Sequence, residues 1–121
     1  MSRDWLLFLD DMVEAAEKII RLTEKRDFDA FTRDEGICDA VLMNLLVLGE
    51  ATKCLPDTVL AEMPGVDWSG VAGLRDIIAH HYFGVDQALV WDIVRQYVPP
   101  LLEIARAYRE GTVNDPDRIS L

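Results

Sequence analysis

Apolar residues in this chain recur at spacings of three and four and nowhere alternate one-on, one-off with polar ones. That pattern excludes half-buried strands and leaves helices that bury one face each. Trp5, Phe8, Leu9, Met12, Ala16, Ile19 and Ile20 draw one stripe along a first helix from about Arg3 to Lys25. Ser2 stands where an N-cap is wanted, and Asp4, Asp10, Asp11, Glu14 and Glu17 fill the opposite face, which reads as a solvated surface.

The stretch Arg26 to Glu35 is polar and turn-prone, with room for a short helical turn around Asp27-Phe28-Asp29. A second long helix is expected over about Asp34 to Leu55, ended by Pro56. Its centre, Val41 to Leu48, is apolar all round except for Asn44, so it is central in a bundle or lies in an oligomer interface. Asn44 there is expected to make a helix–helix hydrogen bond that fixes register. Asp57 is placed to cap a short helix, Thr58 to Met63, closed by Pro64-Gly65. A further helix starts at Asp67 or Val66 and runs to His80 or Tyr82, with Val71, Leu74, Ile77 and Ile78 on one side and Gly84 as its stop. Asp86 opens the last long helix, with Leu89, Val90, Ile93, Val94 and Tyr97 inward. Pro99-Pro100 is expected to kink or interrupt it before helix resumes over Leu101 to Tyr108. From Gly111 the chain becomes polar, and 112–121 reads as a tail. The expected fold is all-α: an up-down bundle of four long helices plus short helical pieces, one domain over residues 1–121.

At 121 residues, half of them hydrophobic, the chain can bury one real core. Acids at Asp10 and Asp11 inside the first apolar region are not what a secretory signal carries. The longest apolar run, Ala40 to Gly49, is far short of the roughly 20 residues that cross a bilayer. A soluble, cytoplasmic protein without membrane contact is therefore expected. Cys38 and Cys54 have no flanking ligands and read as reduced, core-type thiols. The two histidines are adjacent and lack ligand spacing, so no metal site is expected. The net charge of −10 disfavours nonspecific nucleic-acid binding, which needs cations to release counterions, and fits a basic partner.

One segment concentrates chemistry. Gly73-Leu74-Arg75-Asp76-Ile77-Ile78-Ala79-His80-His81-Tyr82-Phe83-Gly84 sets a guanidinium, two imidazoles and a phenol in an otherwise apolar helix. Arginine holds phosphate oxygens through a permanent charge and a fork of N–H groups. Histidine titrates near neutrality and moves a proton to or from a ribose hydroxyl. Together they permit RNA cleavage without a metal or other cofactor, the 2′-hydroxyl being the nucleophile. At about 100° per residue, Arg75 and Tyr82 fall about 20° apart, but Arg75 and His80 about 140° apart. Either the helix distorts near its end, or the same segment of a second copy completes the site across a two-fold axis. Blander readings stand beside this one: His80 as a helix C-terminal cap, Arg75 and Asp76 as a surface pair, Tyr82 and Phe83 as core closure.

The motif Arg75-x4-His80-x-Tyr82 resembles the Arg-x4-His-x-Tyr signature of HepT proteins in the HEPN superfamily. Asp27-Phe28-Asp29-Ala30-Phe31 is similar to an early block of that family. So is Asp39-Ala40-Val41-Leu42-x-Asn44-Leu45-x3-Gly49-Glu50-Ala51-x-Lys53-x-Leu55-Pro56 to its second-helix block. Trp68, Gly73-Leu74-Arg75, Tyr82-Phe83-Gly84-Val85-Asp86 and Val90-Trp91 follow in order. The resemblance implies an endoribonuclease toxin of a prokaryotic toxin–antitoxin pair that forms a homodimer and cuts RNA, not DNA, without metal. Arg75 and His80 would be catalytic at the dimer cleft. It also implies an MNT-type nucleotidyltransferase antitoxin as partner, which transfers AMP from ATP to Tyr82. The family motif usually carries Asn where this chain has Asp76, a carboxylate that either pairs with Arg75 and repels phosphate or points away. His81 is a spare imidazole beside the motif. Glu50 either faces solvent or lines the cleft. The alternative function is a non-catalytic helical subunit that binds a nucleotide or a nucleotidyltransferase partner.

Overall fold

In a computed structural model, which describes residues 4–114, apolar stripes pair into seven helices and one 3-10 turn. They are α1 (Asp4–Thr23), α2 (Phe28–Arg33), α3 (Glu35–Cys54), α4 (Asp57–Ala61), α5 (Trp68–His81), the turn Tyr82–Gly84, α6 (Gln87–Gln96) and α7 (Val98–Asn114). The expected all-α class is what forms, and no strand occurs among the described residues. Ser2, expected as the first cap, lies outside the described residues.

The starts of α2, α3, α5 and α6 are set by aspartates. Asp27, Asp34, Asp67 and Asp86 accept from the backbone N–H of Ala30, Ile37, Gly70 and Ala88 respectively, satisfying donors that a helix start leaves open. Asp57 does not do this for α4: it is the first helical residue, and Pro56 holds the cap position without a side-chain bond.

α3 is the middle of the bundle, packed on α1 along one side and α5 along another, while α7 closes the far side of α1. Ion pairs Arg109–Asp10 and Arg106–Glu17 put the end of α7 beside the start of α1, so those two helices run antiparallel. Leu9, Met12 and Ile19 of α1 and Val41, Leu45 and Leu48 of α3 are fully buried in the core. Phe31 of α2 closes one end of the core and packs on Trp91 of α6, ring centroids 5.1 Å apart.

Several expected placements are corrected. Pro99-Pro100 does not interrupt a helix: the break falls at Tyr97, and both prolines sit in the first turn of α7, where no N–H is needed and proline is tolerated. Helix continues past Gly111 to Asn114 with Thr112 buried, so the stretch read as tail is helical to that point, and 115–121 lie outside the described residues. Cys38 is buried, its thiol on the Phe31 carbonyl, but Cys54 at the end of α3 is exposed and not a core thiol. Ile77, Leu89 and Tyr97, expected inward, are exposed. The buried arcs of α5 and α6 are narrower than their apolar content, centred on Ile78 and on Val90 and Val94.

Candidate active site

The chemistry-bearing part of α5 is pressed onto α3 at a glycine. A methyl group added at Gly49 would lie 2.8 Å from the Arg75 backbone nitrogen and 2.9 Å from the Val71 carbonyl oxygen. Only a residue without Cβ allows that approach. It brings Glu50 and Lys53 of α3 alongside Arg75 and Asp76 of α5. Arg75 Nε donates to Glu50 Oε2 at 3.1 Å, and Arg75 NH1 donates to Asp76 Oδ1 at 3.2 Å. Lys53 Nζ donates to both oxygens of Asp76, at 3.0 and 3.1 Å. Hydrogen bonds from Lys53 and then Arg75 hold the Asp76 carboxyl below the usual aspartate range. All four side chains stay between about two-fifths and one-half exposed, so the network borders solvent.

Glu50 and Asp76 both pair with Arg75, and both remain about half exposed. Asn44 departs from its expected role: its amide donates to the Ala40 carbonyl at 2.8 Å, in its own helix rather than across to a neighbour. A polar side chain one turn above a carbonyl in the same helix satisfies itself locally.

His80 lies one turn beyond Asp76 on α5, with Nδ1 2.8 Å from the Asp76 backbone oxygen. A carbonyl only accepts, so Nδ1 carries the hydrogen. In the neutral ring this leaves Nε2 with its lone pair, on an exposed side chain. The backbone leaves helical angles only at His81 (φ −129°, ψ 25°), past both residues, so this departure does not turn His80 toward Arg75 within one chain. Among the described residues no hydrogen bond links the two side chains. His81 is exposed beside them.

Past His81 the chain tightens into the 3-10 turn, and Tyr82 leaves the face of α5. Its hydroxyl donates to Asp39 Oδ1 of α3 at 2.5 Å. That hydrogen bond to a carboxylate, helped by partial desolvation, raises the phenol pKa. Tyr82 and Asp39 line an open cleft of about 910 Å³ together with Arg33, Glu35, Phe83 and Gln87. Phe83 meets the Tyr82 ring edge-on and is otherwise fully exposed, so neither aromatic closes the core. Among the described residues no group of three or more His, Cys, Asp or Glu side chains is arranged to hold a metal.

Lys53 and Asp39 had no assigned role in the sequence reading, since each meets its partner on another helix. Gly49 was the one signal available, marking where α3 admits a second backbone.

A family model described as "Ribonuclease HepT-like" matches residues 12–108. A protein of Methanocaldococcus jannaschii named "Putative RNase MJ0127" is 42% identical over 98 residues, 81% of this chain and 81% of its own. Another from the same organism, with the same style of name (MJ1380), is 36% identical over 100 residues, 83% of this chain and 92% of its own. "Probable ribonuclease HepT" of Thermococcus cleftensis is 35% identical over 101 residues, 84% of this chain and 92% of its own. No solved structure matches the chain significantly.

Proposed function

Because the chain belongs to the HepT-like ribonuclease family, we propose that it is the endoribonuclease toxin of a prokaryotic HepT/MNT pair, working in the cytoplasm. The observation that supports this reading is the 2.8 Å contact between His80 Nδ1 and the Asp76 backbone oxygen. The Nδ1–H held there orients the ring and leaves Nε2 as a base at the solvent edge. Arg75 adds a permanent charge, with side chain 41% exposed, for the phosphate oxygens.

The two act together at a cleft between two copies of the chain. One straight helix holds Arg75 and His80 about 140° apart, whereas a two-fold axis faces one copy's residue with the other's and supplies two imidazoles. One His80 takes the proton of the 2′-hydroxyl as its oxygen attacks phosphorus. The second, which must start as the imidazolium with a proton on Nε2 as well, gives that proton to the departing 5′-oxygen and ends neutral. The products are a 2′,3′-cyclic phosphate and a 5′-hydroxyl end, and no step in this scheme calls on a metal. Silencing falls to the MNT nucleotidyltransferase. The Tyr82 oxygen attacks the α-phosphorus of ATP, pyrophosphate leaves, and a bulky anionic adenylate then competes with RNA near Arg75 and His80.

Expression without the antitoxin is expected to arrest growth, and Arg75→Ala and His80→Ala to relieve the arrest. The purified chain should cut RNA in the presence of a chelator. Intact mass after co-expression with the antitoxin should rise by AMP increments that vanish in Tyr82→Phe. A wild-type chain that leaves all RNA intact while binding its partner would refute the ribonuclease. One observation favours a second reading, a non-catalytic nucleotide-binding subunit: Arg75 is already held by Glu50 and Asp76. On that reading His80→Ala leaves toxicity unchanged.

A further inference from the structure

We propose that Lys53 and Arg75 form a two-cation site for one phosphate of the RNA strand, and that the Asp76 carboxylate fills this site until RNA displaces it. The proposal rests on the ribonuclease reading above. Its basis is one atom. Asp76 Oδ1 receives Lys53 Nζ at 3.0 Å from α3 and Arg75 NH1 at 3.2 Å from α5. Two cations from different helices converge on a single anionic oxygen, which is the arrangement a non-bridging phosphate oxygen requires.

The remaining geometry keeps that position exchangeable. Glu50 takes Arg75 Nε, which fixes the guanidinium from behind. Arginine has five N–H donors, so with one bound to Glu50 and one to Asp76, three are left for a ligand among the described contacts. The Asp76 side chain is 51% exposed and can swing out by rotation about its own bonds. Pairs this exposed are weak, so a multiply charged strand outcompetes one carboxylate. The close packing at Gly49 already joins α3 to α5, so the ion pairs are not needed to hold the helices together.

Charge explains why such a gate matters here. Lys53 and Arg75 are balanced by Glu50 and Asp76, so the closed site is neutral in a chain of net charge −10. Moving Asp76 aside exposes one uncompensated positive charge at the point where the phosphate docks. Asp76 then sets how readily RNA is admitted, and Lys53 is a phosphate-binding residue supplied by α3.

The test is fluorescence anisotropy with the full chain and a 5′-fluorescein single-stranded RNA, 2′-O-methylated at every ribose so that it is not cut. Asp76→Asn is expected to bind about fivefold more tightly, the ratio matching an exposed ion pair at the strong end of its range. Lys53→Met should bind about fivefold more weakly and lower the slope of log affinity against log salt by about 0.7. Lys18→Met, which removes an equal charge from the surface of α1, should match wild type. Asp76→Ala serves as a second removal of the carboxylate, with thermal unfolding confirming the fold of each variant. Unchanged or weaker binding in both Asp76 variants overturns the proposal, as does a Lys53→Met that behaves like Lys18→Met or an absence of binding throughout. Cleavage of unmodified RNA is read separately. Intact RNA with the expected affinity shifts would sink the ribonuclease reading and leave the phosphate site standing. Cut RNA with indifferent Lys53 and Asp76 variants would do the reverse.

Discussion

Gly49→Ala pits two effects of opposite sign against each other at the contact on which the site depends. The new methyl would stand 2.8 Å from Arg75 N, 2.9 Å from Val71 O and 3.0 Å from Arg75 Cβ, all inside ordinary van der Waals contact. Two of these neighbours are backbone atoms, so α3 and α5 must separate rather than a side chain rotate. Overpacking of this kind costs about 2 kcal/mol. Replacing glycine by alanine in a helix interior returns about 1 kcal/mol. The net is a loss of about 1 kcal/mol, or about 4 °C in Tm for a chain of this size. Gly73→Ala is the matched comparison, because a methyl there meets nothing within 4 Å and only the propensity gain remains. Urea and thermal unfolding of both variants would show Gly49→Ala destabilised and Gly73→Ala stabilised. A Gly49→Ala protein as stable as Gly73→Ala would refute the close approach and the placement of Arg75 that follows from it.

Three other perturbations have defined outcomes. Asp39→Asn should lower the Tyr82 pKa, seen as earlier phenolate absorbance in an ultraviolet pH titration, because the acceptor that favours the neutral phenol becomes uncharged. By linkage, a folded-state phenol pKa above its unfolded value contributes stability that is present below about pH 10 and is lost as pH rises through the folded value, a loss that Asp39→Asn should reduce. A thiol reagent at mildly alkaline pH should modify Cys54 quickly and Cys38 slowly, because Cys38 is buried and desolvation raises its pKa; equal rates would contradict its burial. Phe31→Ala should cost about 3–4 kcal/mol, measured by urea unfolding, since Phe31 is 1% exposed and closes the core against Trp91; a loss under about 1 kcal/mol would contradict that packing.

What could be read without coordinates divides by the range of the interaction. Helix periodicity is local, so α1, α3, α5 and α6 were visible in the spacing of Leu9, Val41, Ile78 and Val90. The cap at Asp67 and the stop near Gly84 were equally local. The proline pair misled because proline opposes only the interior of a helix, and whether residue 99 is interior depends on the break at Tyr97. The site itself was half legible. Arg75, Asp76, His80 and Tyr82 share one segment and announce themselves, but their partners do not. Glu50 is 25 residues from Arg75, Lys53 23 from Asp76, and Asp39 43 from Tyr82. No helical period connects such positions; each pairing exists only because Gly49 lets two backbones touch and because the turn after His81 swings the phenol toward α3. The sequence reading left open whether Asp76 faces Arg75 or away, and nothing along a single helix could have decided it. The deciding group is Lys53, a cation from the neighbouring helix that holds the carboxylate in place, so the chemistry of this site belongs to the crossing of α3 and α5 rather than to either helix alone.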